Sequence, residues 1–312
     1  MKLIEFLDDW LENNHREYVK RQTYVRYRSN INCYVRPSEL AQMEMAEITR
    51  KDVQAFVNGM KRIKNSRTGK PLSAGTINNT FIILQSAYGY AEDYEMIEKN
   101  PCCRIRRAVS RTADAGIKCF TVAEQQKIES YIDGLKDPEY YCYLLDLYTG
   151  LRIGELCALT WDDVDFETRT LYVNKGVYSS VDDDGNWLLM TDTPKTRTSV
   201  REIPLPAHIV KTLTRMWKHS KSEFICARED GERITPWACR RRFGEMLKKL
   251  GIRRLNFHCI RHTFATRALE KGMDVKTLSE ILGHSSPAVT LGVYAHSLID
   301  HKRTMMEKMQ RV

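Results

Sequence analysis

The stretch Thr149-Gly150-Leu151-Arg152-Ile153-Gly154-Glu155-Leu156 combines the end of one helix with the start of another. Gly150 is typical of a helix end, because glycine adopts the left-handed backbone conformation without steric penalty. A helix that starts at Arg152 offers free backbone N–H groups to an anion. Arg152 and Glu155 also form an ordinary i,i+3 helix pair, worth about 0.3 kcal/mol. An anion site here therefore needs support from other residues.

Such support comes from His258-Cys259-Ile260-Arg261-His262. The stretch puts two or three phosphate donors near one helix start, and an arginine fork holds a tetrahedral anion through two hydrogen bonds. The spacing of His258 and His262 also fits zinc, but a metalloprotease has Glu where Cys259 stands. Arg261 beside a dication is unfavourable. One Arg–His pair is more often a surface feature than a site.

Three further residues extend this pattern. Lys195 lies at the tip or edge of a predicted strand region, where by itself it is an ordinary exposed lysine. Gly283 is predicted to end a helix immediately before His284. Tyr294 follows His284 by ten residues and is predicted to lie on or after the next helix.

The length of 312 residues favours two domains. Residues 1–98 show apolar helical periodicity and predict a bundle of four helices, one of which begins at Thr49 with Asp52 in a capping box. Asn100-Pro101 ends this region, and residues 99–118 are predicted to be a basic interdomain linker. Residues 119–312 are predicted to form the second domain, which ends in a C-terminal helix.

The second domain mixes helices with a few strands. Helices resume at Thr121, where Glu124 completes a capping box, and another begins at Thr235 before a proline. Short strands are predicted at 170–175, 176–181, 187–190 and 200–203, around an Asp-Gly turn. The expected fold is therefore mostly α with a small β-sheet.

The charge balance suits a polyanionic partner. The chain has 49 Lys and Arg against 40 Asp and Glu, a net charge of +9. Two clusters contain no acid, at 61–70 and 99–111, and predict a phosphate-binding surface, although solvated loops are the alternative. Six residues of these clusters are the predicted DNA contacts: Lys64, Arg67, Lys70, Arg104, Arg106 and Arg107.

Other function classes lack their sequence signatures. The chain has no phosphate-binding P-loop and no dinucleotide fingerprint. No apolar run approaches the roughly 20 residues that span a bilayer. The nine cysteines include no CxxC pair, which is typical of reduced thiols in the cytosol. We expect no membrane partner and a cytoplasmic location, at the bacterial nucleoid.

Five short motifs together resemble the tyrosine recombinase (integrase) family. TGLRIGEL around Arg152, PKT around Lys195, HCIRH at 258–262, LGHSS around His284 and YAH at 294–296 occur in the family's order and cover the second half of the chain. The family's second box usually reads His-x-Leu-Arg-His, and Ile260 is a conservative difference. The first half resembles the family's core-binding domain more loosely. The resemblance implies an N-terminal helical core-binding bundle and a C-terminal mixed α/β catalytic domain.

The resemblance also implies a role for each site residue, in a reaction that needs no metal, cofactor or ATP. Tyr294 would form a 3′-phosphotyrosine link, Lys195 would protonate the 5′ oxygen, and His258 would act as acid and base. The remaining residues would hold or orient the phosphate: Arg152, Arg261, His284 and the supporting Glu155. These residue types suit the reaction, because arginines neutralise the phosphate oxygens and a tyrosine with a pKa near 10 needs a base or a cationic field.

The implied function is site-specific recombination of double-stranded DNA by a homo-tetramer on paired sites, with accessory DNA-bending proteins as further partners. The length of the 170–203 region favours integration or excision of a mobile element. The sequence begins at the core-binding helices without an arm-binding domain. We therefore expect either a chromosome-dimer-resolving or inversion recombinase, or a sequence that has been shortened. A type IB topoisomerase shares the chemistry, and a non-catalytic DNA-binding regulator shares the fold. The stretch 298–309 is expected to dock on a neighbouring protomer or to fold back on its own domain.

Overall fold

A computed structural model describes residues 1–66, 68–109, 118–135, 137–182, 186–192, 200–294 and 306–307. The chain divides into two compact units, Met1–Asp114 and Ala115–Val312, which we call the first and second unit. No helix within these described ranges is long and apolar enough to cross a membrane.

The first unit is a helical bundle. Its helices are α1 (Leu3–Asp9), which continues through a π-helical segment (Trp10–His15), α2 (Arg21–Asn30), which continues through another (Ile31–Val35), α3 (Arg50–Met60) and α4 (Ala74–Asp93). The predicted capping box is confirmed, since the Thr49 N–H donates to Asp52 Oδ2 at 2.9 Å. Ser73 caps α4 by accepting from the Thr76 N–H at 3.1 Å.

One apolar core holds this bundle together, and part of the basic segment packs on it. Phe6 and Tyr88 are buried in this core, and the Tyr88 hydroxyl donates to the backbone oxygen of Met45 at 3.1 Å. Cys102 and Ala108 belong to the same core. The 99–109 part of the predicted linker is therefore ordered against the first unit.

The second unit contains eight α-helices among its described residues. They are α5 (Val122–Leu135), α6 (Pro138–Thr149), α7 (Ile153–Ala158), α8 (Ala207–His219), α9 (Pro236–Lys249), α10 (Cys259–Glu270), α11 (Val275–Leu282) and α12 (Pro287–Tyr294). Both predicted helix starts are confirmed. The Thr121 N–H donates to Glu124 Oε2 at 2.8 Å, and Thr235 Oγ1 accepts from the Ala238 N–H at 3.2 Å.

The strands form two separate sheets. They are β1 (Val164–Asp165), β2 (Thr170–Val173), β3 (Gly176–Val181), β4 (Trp187–Asp192) and β5 (Arg201–Pro204). One sheet has the order β1-β2-β5, with Leu171 opposite Ile203, and β3 pairs with β4 in a two-stranded ribbon. Four strands were predicted, and two-residue β1 was missed. The turn residues 183–185 lie outside the described residues, and the mostly α fold with small β-sheets is confirmed.

Helix α6 lies in the interior of the second unit and packs against α10. The Tyr143 ring on α6 contacts Phe243 and Phe257, and its hydroxyl donates to the backbone oxygen of Cys239 at 3.0 Å. This packing brings the C-terminal end of α6 beside the N-terminal part of α10. The predicted site residues lie around that junction.

Candidate active site

The junction between α6 and α7 turns sharply at Gly150, whose φ is +60°. A Cβ at this position would lie 2.5 Å from Phe264 Cδ1, so both backbone conformation and packing require glycine. Arg152 then caps α7. Its N–H donates to Glu155 Oε2 at 2.9 Å, and its Nη1 donates to Oε1 at 2.7 Å. The predicted helix end and new helix start are confirmed.

Arg261 joins the C-terminal ends of two helices. Its Nη1 donates to the Gly150 oxygen at 2.8 Å and its Nη2 to the Leu282 oxygen at 2.7 Å, and the residue is only 2% exposed. The carbonyl ends of α6 and α11 carry partial negative charge, which favours a cation here. Arg152 Nη2 donates to the neighbouring Gly283 oxygen at 2.8 Å. The two predicted phosphate-binding arginines thus reach the same turn.

His284 follows that turn. Gly283 ends α11 with φ +65°, as predicted, and the His284 N–H donates to the Ser279 oxygen at 3.0 Å. His284 Nδ1 lies 2.7 Å from the hydroxyl of buried Thr290, which orients the ring. Burial, together with the positive charges of Arg261 and Arg152, lowers the pKa of His284 to about 4. The imidazole is therefore neutral at neutral pH.

His258 stands at the start of α10 with its ring edge-on to that of His262, at a centroid distance of 4.6 Å. Partial desolvation lowers the pKa of His258, as do the charges of Arg261 and Arg152. Burial, then His258 and Arg261, lower the pKa of His262 to about 4. A pKa below the ordinary 6.5 leaves His258 mostly neutral at neutral pH, so its ring is in the form that can accept a proton.

Sequence reasoning missed Arg201, which begins β5. Its Nη2 donates to Glu155 Oε2 at 2.8 Å, and its Nη1 donates to Oε1 at 3.2 Å. Burial raises the pKa of Glu155, but the hydrogen bond and charge of Arg201 and the charge of Arg152 outweigh it, so that pKa lies below its usual value. Arg201 shares a strand face with buried Ile203, and this two-residue alternation was a usable signal.

Asp146 on α6 was also missed. It is fully buried, and burial raises the pKa of its carboxyl well above the usual value, with Cys239 adding to the rise and Arg261 opposing it. Its signal in the sequence was an acid within the apolar run from Tyr140 to Tyr148. It lies one turn before Gly150.

Several predicted site residues lie wholly or partly outside the described residues. Lys195 and Arg67 are among them. Tyr294 is the last residue of α12, and only its backbone is described. Of the stretch 298–309, only Met306 and Glu307 are described. The structure brings together Arg152, Arg261, His258, His284 and Glu155.

The remaining basic residues are exposed on the first unit. Lys64 and Lys70 lie in the connection from α3 to α4, which is closed by a hydrogen bond from the Asn65 N–H to the Lys70 oxygen at 2.8 Å. Arg107 lies over the Phe81 ring at 5.6 Å. Two more arginines are exposed in the same segment, Arg104 and Arg106. All are accessible to a polyanion, and DNA contact stays a prediction.

The chain matches family models and known proteins over most of its length. Residues 118–301 match the phage integrase family, and residues 2–61 match its N-terminal SAM-like domain. A XerC-like tyrosine recombinase of Caldanaerobacter subterraneus subsp. tengcongensis is 28% identical over 98% of this chain and 82% of that protein. The ICEBs1 integrase of Bacillus subtilis is 27% identical over 94% of this chain and 77% of its own length.

A solved structure, the Tn1549 transposon integrase in complex with a circular intermediate DNA, is similar to almost the whole chain. It is 27% identical and covers 99% of this chain and 100% of its own, with a TM-score of 0.81. The family match extends over more than half of the sequence. The chain therefore belongs to the phage integrase family, the tyrosine recombinases that cleave and rejoin DNA.

Proposed function

We propose that this protein recombines specific DNA sites through a 3′-phosphotyrosine at Tyr294, in the integration or excision of a mobile element. The observation that carries the proposal is the meeting of Arg152, Arg261 and His284 at the end of α11. These three side chains come from separate elements and converge where a phosphate can be held.

The arrangement suits a phosphodiester whose charge grows during attack. Arg261 is held by two carbonyl oxygens, so little reorganisation is needed when it meets the transition state. The side chain of Arg152 remains 40% exposed and is available to the DNA backbone. His284 supplies a further hydrogen-bond donor through its ring.

Proton transfer is assigned to side chains of this chain. His258, with its lowered pKa, accepts the proton of the Tyr294 hydroxyl. Lys195 donates a proton to the departing 5′ oxygen. The P–O bond to the 5′ oxygen breaks as the bond to the tyrosine oxygen forms, so the phosphotyrosine retains the energy for rejoining and the reverse attack needs no ATP.

Two of the relatives favour the mobile-element assignment. The ICEBs1 integrase and the Tn1549 integrase act, by their names, on mobile elements, and the second was solved with circular intermediate DNA. The XerC-like relative supports a chromosome-dimer-resolving recombinase as the second candidate. The proposal includes a homo-tetramer on paired sites, DNA-bending accessory proteins and action in the cytoplasm at the nucleoid.

Trapping on a nicked duplex tests the catalytic assignment. Cleavage next to a nick releases a short oligonucleotide, which prevents rejoining and leaves the protein attached to the DNA. We expect a covalent complex with the wild type and with the control Tyr172→Phe, a substitution on β2, and none with Tyr294→Phe. The yield should be unchanged by EDTA.

A complex that persists in Tyr294→Phe contradicts the nucleophile assignment, and loss of activity in EDTA supports a metal site at His258 and His262 instead. A non-catalytic regulator would bind the duplex and give no complex with any variant. The DNA that flanks the gene distinguishes the two recombinase candidates. Element ends beside the gene support integration and excision, whereas a lone chromosomal site supports dimer resolution.

A further inference from the structure

Two guanidinium groups share one buried carboxylate beside the proposed phosphate site. We infer that Arg201 is a positioning residue, which neutralises Glu155 and thereby leaves Arg152 able to bind the scissile phosphate. The inference rests on the proposed function and adds to it a residue outside the five sequence motifs.

The geometry makes Glu155 the shared partner. Its Oε1 accepts from Arg152 Nη1 at 2.7 Å and from Arg201 Nη1 at 3.2 Å. Its Oε2 accepts from the Arg152 backbone N–H at 2.9 Å and from Arg201 Nη2 at 2.8 Å. Both carboxylate oxygens are thus engaged by both arginines, and Arg201 forms the two-pronged contact that only a guanidinium provides.

The exposure of the two arginines separates their roles. The Arg201 side chain is 6% exposed and the Arg152 side chain is 40% exposed. Arg201 directs all three guanidinium nitrogens at protein oxygens, Nε at Ile281 and both Nη atoms at Glu155. Its role is therefore to hold Glu155 and the turn, whereas Arg152 keeps an exposed face for the DNA backbone. Arg201 acts through Glu155, which is itself only 7% exposed.

Arg201 also contacts the turn that precedes His284. Its Nε donates to the Ile281 oxygen at 2.6 Å, and a Cβ on Gly283 would lie 3.1 Å from its Nη1. Gly283 thus allows the guanidinium to pack against the turn whose carbonyl accepts from Arg152. One buried side chain therefore contacts both supports of Arg152, namely Glu155 and this turn.

The net charge of Arg152, Arg201 and Glu155 determines how strongly this group attracts a phosphate. Two guanidinium groups and one carboxylate leave one net positive charge, which attracts a phosphate. Without Arg201, the charges of Arg152 and Glu155 cancel, and the carboxylate competes with the phosphate for the Arg152 guanidinium. The pKa of Glu155 then rises, because its strongest opposing contact is lost. Protonation of Glu155 at lower pH would release Arg152 again.

The test compares Arg201→Met, Arg201→Lys and the double variant Arg201→Met/Glu155→Gln on the nicked substrate. The control is Arg228→Met, which removes an exposed ion pair with Asp230. At pH 8 we expect Arg201→Met to cleave about 100-fold more slowly than wild type, the size of effect that follows the loss of one preorganised charge. The cleavage rate of Arg201→Lys should lie between those of Arg201→Met and wild type, and the control should cleave as fast as wild type.

Two readouts distinguish this role from a purely structural one. Relative to wild type, Arg201→Met should recover as the pH is lowered, because Glu155 without Arg201 is protonated at a higher pH than in wild type. The buried Asp146 on α6 also interacts with Glu155 and is the same in every variant. The double variant restores one net positive charge, so it should cleave at least tenfold faster than Arg201→Met at pH 8 and lose that pH dependence. Thermal melting shows whether each variant is folded. If Arg201→Met is unfolded at the assay temperature, the same comparison is made with Arg201→Gln, which is also uncharged, and its Glu155→Gln double variant.

A double variant that is folded and no faster than its parent overturns the inference, as does a rate loss in Arg201→Met that stays constant over the whole pH range in which both proteins are folded. Failure of the proposed function is seen separately, as the absence of a Tyr294-dependent complex in wild type. In that case the test measures DNA binding instead of cleavage, with each variant made in protein that also carries Tyr294→Phe. Two DNAs are compared, one with a phosphate and one with a neutral methylphosphonate at the cleavage position. The preference for phosphate should fall with Arg201→Met and return with Glu155→Gln, and an unchanged preference overturns the inference.

Discussion

The substitution Gly150→Ala tests whether the end of α6 is as tightly packed as the structure shows. An L-residue at φ +60° costs about 1–2 kcal/mol, and alanine recovers roughly 0.5 kcal/mol by restricting the unfolded chain. The new Cβ would lie 2.5 Å from Phe264 Cδ1 and 3.0 Å from Leu282 Cδ2. Such overpacking adds about 1–3 kcal/mol. The free energy of unfolding of the second unit should therefore fall by about 3 kcal/mol.

Gly251→Ala is the matched control, since Gly251 has φ +65° and no atom within 4 Å of its Cβ position. It carries only the backbone penalty, about 1 kcal/mol. Thermal unfolding can be followed by tryptophan fluorescence, which reports mainly on the second unit because four of the five tryptophans lie there. At about 3 °C per kcal/mol for a unit of this size, Tm should fall by about 9 °C for Gly150→Ala and about 3 °C for the control.

Gly150→Ala should also slow cleavage at temperatures where the protein is folded, because the Gly150 oxygen accepts a hydrogen bond from Arg261. Cleavage on the nicked duplex measures this effect, and Gly251→Ala should leave it unchanged. Equal Tm shifts for the two variants would refute the packing argument, because the backbone term alone would then account for both.

Two further predictions concern stability. The pKa values of His284 and His262 lie near 4 in the folded protein, below their ordinary 6.5. Between these values the folded state binds fewer protons than the unfolded state, so Tm should fall as the pH drops from 6.5 toward 4. His284→Gln should make Tm depend less on pH in this range, whereas His219→Gln, at an exposed position, should not. Lys175→Met removes the cation that lies 2.7 Å from the carboxylate of Asp163, which is 4% exposed, and should lower the free energy of unfolding in urea by about 2 kcal/mol. A loss as small as that of an exposed ion pair, about 0.5 kcal/mol, would contradict the burial argument.

Local features were predictable from the sequence because their partners lie within one helical turn. The capping box at Thr49 and the one at Thr121 each join residues three apart. Gly150 and Gly283 mark helix ends because each needs a left-handed backbone conformation. The resemblance to tyrosine recombinases likewise depended on short motifs in a recognisable order. The family is confirmed, and the roles of the individual residues stay predictions.

The strand pairing could not be predicted in the same way. Short strands such as β1 carry too few residues for an alternating pattern. Nothing local to residues 201–204 indicates that they pair with 170–173, across the intervening β3–β4 ribbon. Pairing between distant segments depends on the loop closure and side-chain packing of the whole unit.

By itself the sequence determined the helix ends at Gly150 and Gly283, the helix starts at Thr49, Thr121 and Thr235, and the family to which the chain belongs. Only the tertiary structure decided how the charged groups of the site are partnered: Arg201 with Glu155, 46 residues away, and Arg261 with the Gly150 oxygen, 111 residues away. The same packing buries Asp146 beneath them. The physical reason is that a local hydrogen bond is fixed by helical geometry, whereas burial and a shared carboxylate exist only when distant elements pack together.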